Sequence, residues 1–231
     1  RYGGVGPTGP GALSLVTREP LGVVAAIVPW NYPLIISAWK LGPALAAGNT
    51  VVLKPASQTP LTAIRLGELA LEAGIPAGVL NVVTGPGGVV GSALARHPLV
   101  DKVAFTGSTD VGRSLLRDIG ETDVKSLTLE LGGKSPQVVL ADVADIAAAG
   151  SAIGWGIFYN AGQTCNAGSR LIVHRSIRDR VLDEVAALAA QLQPGDILDP
   201  GTSLGAMVDE GQLERVLGYV DAARADGASV A

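Results

Sequence analysis

The chain has 231 residues, 48% of them hydrophobic and 16% charged, a composition that supports a real core and excludes a disordered segment. A formal net charge of −4, with no basic block, gives nucleic-acid binding no electrostatic support. The longest apolar stretch, Leu21 to Trp30, is broken by Gly22 and Pro29 and is too short to span a bilayer.

Strand and helix patterns alternate, which predicts an α/β fold with parallel strands. After a Gly/Pro-rich lead, residues 12–18 alternate like a half-exposed strand. Residues 21–28 (Leu-Gly-Val-Val-Ala-Ala-Ile-Val) are a continuous apolar run, expected of a strand buried on both faces. Pro29 to Tyr32 read as a loop, and residues 34–47 as helical but interrupted at Gly42-Pro43. Thr50 to Leu53 read as a short strand. Thr59-Pro60 reads as a helix start with Thr59 as N-cap, and Gly74 as the stop.

Val79 to Val83 read as a strand, then comes the turn Thr84 to Gly88 and a helix to about Arg96. Lys102 to Phe105 is a further strand, followed by Thr106-Gly107-Ser108 and a helix ending at Gly120. The pattern changes after Glu130, where Leu131-Gly132-Gly133 reads as a hinge. Beyond it the expected elements are a strand at 136–140, a helix at 143–159, a strand at 169–174 and helices at 177–193 and 209–226. The apolar tail 228–231 resembles the start of another strand. With Arg rather than Met at position 1, it leads us to expect a fragment.

Cys165 is the only cysteine. It excludes an intrachain disulfide and a multi-sulfur zinc site, so no metal is expected. A free thiol with no N-terminal export pattern points to a reducing, cytoplasmic compartment. Cys165 itself is either a small packed hydrophobe or a nucleophile. Glycine and small residues in Gly162-Gln163-Thr164-Cys165-Asn166-Ala167-Gly168 favour the nucleophile, because backbone amides and a substrate can approach closely.

Gly85-Pro86-Gly87-Gly88-Val89-Val90-Gly91, between a strand and a helix, is one residue too long for a dinucleotide fingerprint. With the second strand–glycine–helix junction at Phe105-Thr106-Gly107-Ser108-Thr109 it makes nucleotide binding plausible. Pro29-Trp30-Asn31-Tyr32-Pro33 is either a rigid aromatic turn or the carrier of an amide donor, Asn31, for a developing oxyanion. Lys54 is either a surface lysine or a contact for a cofactor hydroxyl or phosphate at a strand end. Glu130, beside glycines, is either a solvated carboxylate or a general base.

Five segments, Pro29-Trp30-Asn31-Tyr32-Pro33, Lys54-Pro55-Ala56, Phe105 to Thr109, Glu130 to Lys134 and Gly162 to Cys165, together resemble signatures of the NAD(P)-dependent aldehyde dehydrogenase superfamily in its order. Residues 25–31 and 156–160 look most like the subgroup acting on γ-glutamyl-aminobutyraldehyde and related ω-amino aldehydes. The resemblance implies a lead and oligomerisation-arm strand over residues 1–20. It implies a Rossmann-like NAD(P)-binding domain over 21–131 and the first part of an α/β catalytic domain over 132–231.

It further implies oxidation of a small-molecule aldehyde to a carboxylic acid with NAD or NADP, in a protein that is a homodimer or homotetramer when complete. Cys165 would form a thiohemiacetal and then a thioester. Asn31 and the Cys165 N–H would stabilise the oxyanion, Glu130 would activate water, and Lys40 would relay protons. Trp30, Lys54, Ser57, Gly87, Gly91, Gly107, Ser108 and Leu131 would contact the cofactor, and residues near Trp39, Phe158 and Asn166 would line the substrate tunnel. Many NAD-specific members carry Glu where this chain has Ser57. That departure removes a charge that would repel a 2′-phosphate, so NADP is expected to be accepted. The competing readings are a non-catalytic nucleotide-binding fragment and a thiol hydrolase or acyltransferase pairing Cys165 with His97 or His174.

Overall fold

A five-stranded, wholly parallel sheet forms the centre of the first of two compact units, Arg1–Leu131 and Gly132–Ala231. The structure is a computed structural model describing residues 3–230.

In the first unit β3 (Val23–Ile27) lies between β4 (Thr50–Lys54) and β6 (Lys102–Gly107), with β5 (Leu80–Val82) and β7 (Ser126–Leu131) at the edges. The continuous apolar run of β3 follows from burial on both faces. Val24, Ala26 and Val28 pack with Ile36, Leu41 and Leu53 on one side, while Ala25 and Ile27 pack with Val103, Phe105, Leu115 and Ile119 on the other. Helices α1 (Pro33–Ala46) and α2 (Leu61–Glu72) contribute to the first layer, α3 (Ser92–Arg96) and α4 (Thr109–Gly120) to the second. The chain builds β3, β4 and β5 outward, then returns to lay β6 and β7 on the opposite side of β3. A topological switch therefore falls between β3 and β6.

Several local expectations are corrected. The Gly/Pro-rich lead is not wholly irregular: β1 (Gly4–Gly6) pairs antiparallel with β2 (Ser14–Val16), which is shorter than the strand expected over 12–18. Helix α1 is not interrupted at Gly42-Pro43. Leu41 and Ala44 on either side are buried in the core, and that packing holds the turn whose hydrogen bond Pro43 cannot donate. Thr59 is not the cap of α2. Pro60 takes that place with helical dihedrals, and Thr59 Oγ1 is buried with no hydrogen-bond partner. The C-terminus of α2 does close at Gly74, which has a φ of 85°, with Gly74 N donating to Leu71 O and Ile75 N to Ala70 O.

In the second unit β8 (Pro136–Val139) pairs in parallel with β9 (Arg170–Val173). Helix α5 (Ile146–Phe158) starts at an Asp145 cap and packs on α6 (Arg178–Gln191). Gly150 and Gly154 allow that approach: a Cβ on the first would collide with the Glu184 side chain, and on the second would stand 2.5 Å from Leu188 Cδ2. Val139, Ile153, Ile177 and Val181 form the core. Helix α7 (Glu210–Ala225), capped by Asp209, buries none of its residues. Residues 228–230 form no strand, and Ala231 lies outside the described residues. Among the described residues no helix is long and apolar enough to cross a membrane.

Candidate active site

Because all five strands of the first sheet are parallel, their carboxyl ends share one edge, and the segments singled out in this unit follow those ends. Trp30 and Asn31 occupy the bend after β3 and are half-buried. Lys54 is the last residue of β4, in register with Ile27 of β3. Gly85, Gly87 and Gly91 follow β5. Gly107 ends β6, where Thr106 and Gly107 belong to the strand rather than to the loop expected there. Likewise Leu131, expected to begin the hinge, is the last residue of β7, where Glu130 and Leu131 pair with Thr106 and Gly107.

Lys54 is 4% exposed, and burial lowers its pKa. Among the described residues its ammonium has neither an ion pair nor a hydrogen bond. A Cβ placed on Gly87 would stand 3.9 Å from Lys54 Nζ, so the glycine leaves open the space in front of the ammonium. The turn is shaped by Gly85 at a φ of 142°, where a Cβ would meet Val90 Cγ2 at 2.7 Å. It then enters a π-helical turn, Gly87–Gly91, that ends on buried Gly91 against Ile27. Ser57 Oγ, exposed, donates to Gly85 O at 3.1 Å and ties the segment after β4 to this turn. A buried cation without a protein partner, beside a glycine turn, fits an anionic or hydroxyl-bearing ligand group such as a nucleotide ribose or phosphate.

Ser108 caps α4 through its side chain, which accepts from Val111 N at 3.4 Å. Gly107 before it is required by packing, since a Cβ would stand 2.5 Å from Phe105 Cζ. Leu131 is half-buried against Gly112 of α4. Lys40 projects from α1. Burial draws its pKa down to about 8, Glu130 pulls it back up, and Lys102 lowers it further. The structure thus brings Lys40 and Glu130 within electrostatic reach of one another, and Glu130 itself is exposed.

Cys165, in the second unit, is exposed on the segment between α5 and β9. Three successive left-handed residues precede it: Asn160 at φ 52°, Ala161 at 54° and Gly162 at 73°. Two of these are not glycine, so the turn carries backbone strain that its surroundings must hold. Asn160 Nδ2 donates to Gln163 O at 3.3 Å and Gln163 Nε2 to Asn160 O at 3.2 Å, while Gln163 Oε1 accepts from Val208 N at 3.1 Å. After Cys165, Ala167 N donates to Thr164 O and Gly168 N to Gly156 O of α5 at 2.9 Å. Gly133 permits another close approach, because a Cβ there would stand 3.5 Å from Cys165 O. Gln137, Trp155, Tyr159, Thr164 and Asn166 help to line a cavity of about 400 Å³ on this side of the unit.

Of the expected tunnel residues, Trp39 and Asn166 are exposed and Phe158 is half-buried. His97 Nδ1 accepts from Leu99 N at 3.2 Å, and His174 Nδ1 faces Ser176 Oγ at 2.9 Å, so each imidazole is engaged beside its own loop. Among the described residues no group of His, Cys, Asp and Glu could hold a metal. Sequence reading missed Gln137. Its only signal was a polar residue inside the strand Pro-Gln-Val-Val, at a half-buried register position.

The aldehyde dehydrogenase family pattern matches residues 1–231. The chain belongs to the aldehyde dehydrogenase family. The NADP/NAD-dependent aldehyde dehydrogenase PuuC of Escherichia coli is 52% identical over 219 residues, which is 95% of this chain and 44% of that protein. An indole-3-acetaldehyde dehydrogenase crystallised with NAD+ superposes with a TM-score of 0.97 at 54% identity, over 100% of this chain and 47% of that one. The γ-glutamyl-γ-aminobutyraldehyde dehydrogenase of Burkholderia cenocepacia superposes with a TM-score of 0.93 at 55% identity, over 96% and 45% respectively. This aldehyde dehydrogenase chain therefore spans about half the length of the relatives it matches. The α/β architecture with a parallel sheet is the family's own.

Proposed function

We propose that this chain carries the cofactor-binding segments and the nucleophile of an NAD(P)-dependent aldehyde dehydrogenase that oxidises an aldehyde to a carboxylic acid. The observation that carries the reading is the buried Lys54 ammonium, unpaired among the described residues, facing the glycine turn at the carboxyl edge of a parallel sheet. A relative named for both NADP and NAD and a structural neighbour bound to NAD+ support it.

In this reading residues 21–131 are the cofactor domain and 132–231 belong to the catalytic domain. Lys54 and Ser57 would hold the adenosine ribose, Gly87 and Gly91 would give the phosphates backbone access, Trp30, Gly107 and Ser108 would line the groove, and Leu131 would border it. A bound nicotinamide would supply the hydride acceptor. The Cys165 thiolate attacks the aldehyde carbonyl and forms a C–S bond, and the carbonyl oxygen gains the negative charge. The Asn31 side-chain amide and the Cys165 N–H donate to that oxygen. Loss of hydride leaves a Cys165 thioester. Glu130 takes a proton from water, whose oxygen attacks the thioester carbon, breaking the C–S bond and releasing the acid. Lys40, charged near neutrality but close to titration, passes that proton onward.

Relatives of comparable identity are named for an amino aldehyde and for indole-3-acetaldehyde. Exposed Asn166, next to the thiol, favours the polar amino aldehydes. The test is nicotinamide absorbance at 340 nm with both classes of aldehyde, NAD and NADP, and a Cys165→Ala control. Turnover abolished in the control is the expected result. Turnover that survives Cys165→Ala would overturn the reading.

A further inference from the structure

We propose that Gln137 is the positioning residue that sets the backbone of the Cys165 segment; the inference rests on the reading above, in which the Cys165 N–H serves as an oxyanion donor. Gln137 sits on β8, outside the motif segments at the strand ends and around Cys165. Its Nε2 donates twice, to Gly168 O at 2.7 Å and to Ile153 O at 3.1 Å. Both partners are carbonyl oxygens, and the two N–H donors of one neutral amide satisfy them without placing a charge there. One bond holds the chain three residues after Cys165, and the other anchors it to α5. A third bond, Gly168 N to Gly156 O, closes the same clamp.

The two glycines confirm that the fit is to this side chain. A Cβ on Gly168 would collide with Gln137 Cδ, and one on Gly156 would stand 2.9 Å from Gln137 Oε1. Before the thiol the chain is strained at Asn160 and Ala161. Relaxing that strain would move the segment unless its far end is fixed, and Gln137 fixes it. A misplacement of about 1 Å in a reacting group costs roughly a hundredfold in rate, so the clamp acts on the chemical step while touching no reacting atom.

The experiment compares Gln137→Met, which keeps volume and removes both donors, and Gln137→Glu, which keeps shape and sets a carboxylate against two carbonyls. The purified protein is read by steady-state kinetics with NAD and a small aldehyde, and by hydrogen exchange resolved to residues 164–168. We expect kcat to fall about tenfold or more with the cofactor KM unchanged. The Ala167 and Gly168 amides should exchange about tenfold faster while α6 keeps its protection. Unchanged kcat and loop exchange in Gln137→Met would overturn the proposal. So would an equal loss of protection across β8, α5 and α6, which would mark a general stability role. If the parent chain oxidises no aldehyde, the exchange data alone decide whether Gln137 holds the segment.

Discussion

Burial draws the Lys40 ammonium down to a pKa of about 8 against the opposing pull of the Glu130 carboxylate on the neighbouring edge strand. The ordinary value is 10.5, so between pH 8 and 10.5 the unfolded chain binds more protons at this site than the folded one. Stability must therefore rise with pH across that window, and the full penalty of burying the charge is present below it. Lys54, also lowered by burial, adds to the same slope. Urea midpoints measured from pH 7 to 10 should climb for the parent and climb less for Lys40→Met. Equal slopes for the two proteins would show that Lys40 keeps its ordinary pKa. Glu130→Gln removes the raising partner, so the Lys40 titration should move lower still.

Asn31 and Glu130 are assigned to different steps, and their variants should fail differently. Asn31→Ala removes a donor to the developing oxyanion and should lower kcat about a hundredfold or more, with no initial burst of reduced cofactor. Glu130→Gln cannot deprotonate water. It should retain a burst of about one reduced nicotinamide per thiol and then stall with the thioester in place. Rapid-mixing absorbance separates the two. A burst in Asn31→Ala, or its absence in Glu130→Gln, would reverse the assignments.

The buried strands were legible because burial on both faces favours apolar runs: β3, β4 and β6 stand where Val23–Ile27, Val51–Leu53 and Val103–Phe105 put them. Helix punctuation was less legible. Thr59-Pro60 has the composition of a cap, yet Pro60 already adopts helical dihedrals, so the boundary moved by one residue and left Thr59 Oγ1 without a partner. Pro43 reads as a break in any local view, and only the tertiary burial of Leu41 and Ala44 explains why α1 continues. Lys54, Gly107, Glu130 and Leu131 stand out as candidates because their motifs lie at strand ends. Gln137 does not, since its partners are backbone carbonyls far along the chain that leave no trace in side-chain identity. The left-handed turn at Asn160-Ala161 was equally hidden, because Ala carries no signal for that conformation.

Gly107 tests whether the end of β6 is set by packing. Its hypothetical Cβ stands 2.5 Å from Cζ and 3.0 Å from Cε2 of Phe105, whose ring is 5% exposed and held in the core. The ring cannot swing away, so Gly107→Ala should destabilise the fold by about 1–3 kcal/mol, as overpacking typically does. Gly87→Ala meets only Lys54 Nζ at 3.9 Å and should leave stability unchanged within about 0.5 kcal/mol. Chemical denaturation of the pair checks this, and equal stabilities would remove the steric argument for Gly107.

In the proposed function Ser57 sets which cofactor the turn accepts. It carries no charge, is exposed, and donates to Gly85 O, while Lys54 offers a buried cation with no partner among the described residues. A ribose 2′-phosphate placed here meets attraction and no repulsion, so NADP should be used within about tenfold of NAD in kcat/KM. Ser57→Glu introduces a carboxylate at an exposed position that tolerates its size. It should lower kcat/KM for NADP about a hundredfold and change NAD by less than about threefold, because only the phosphate carries the repelled charge. Lys54→Met should weaken both cofactors, and NADP more. If the parent already favours NAD a hundredfold, or if Ser57→Glu weakens both cofactors equally, the 2′ position does not face Ser57.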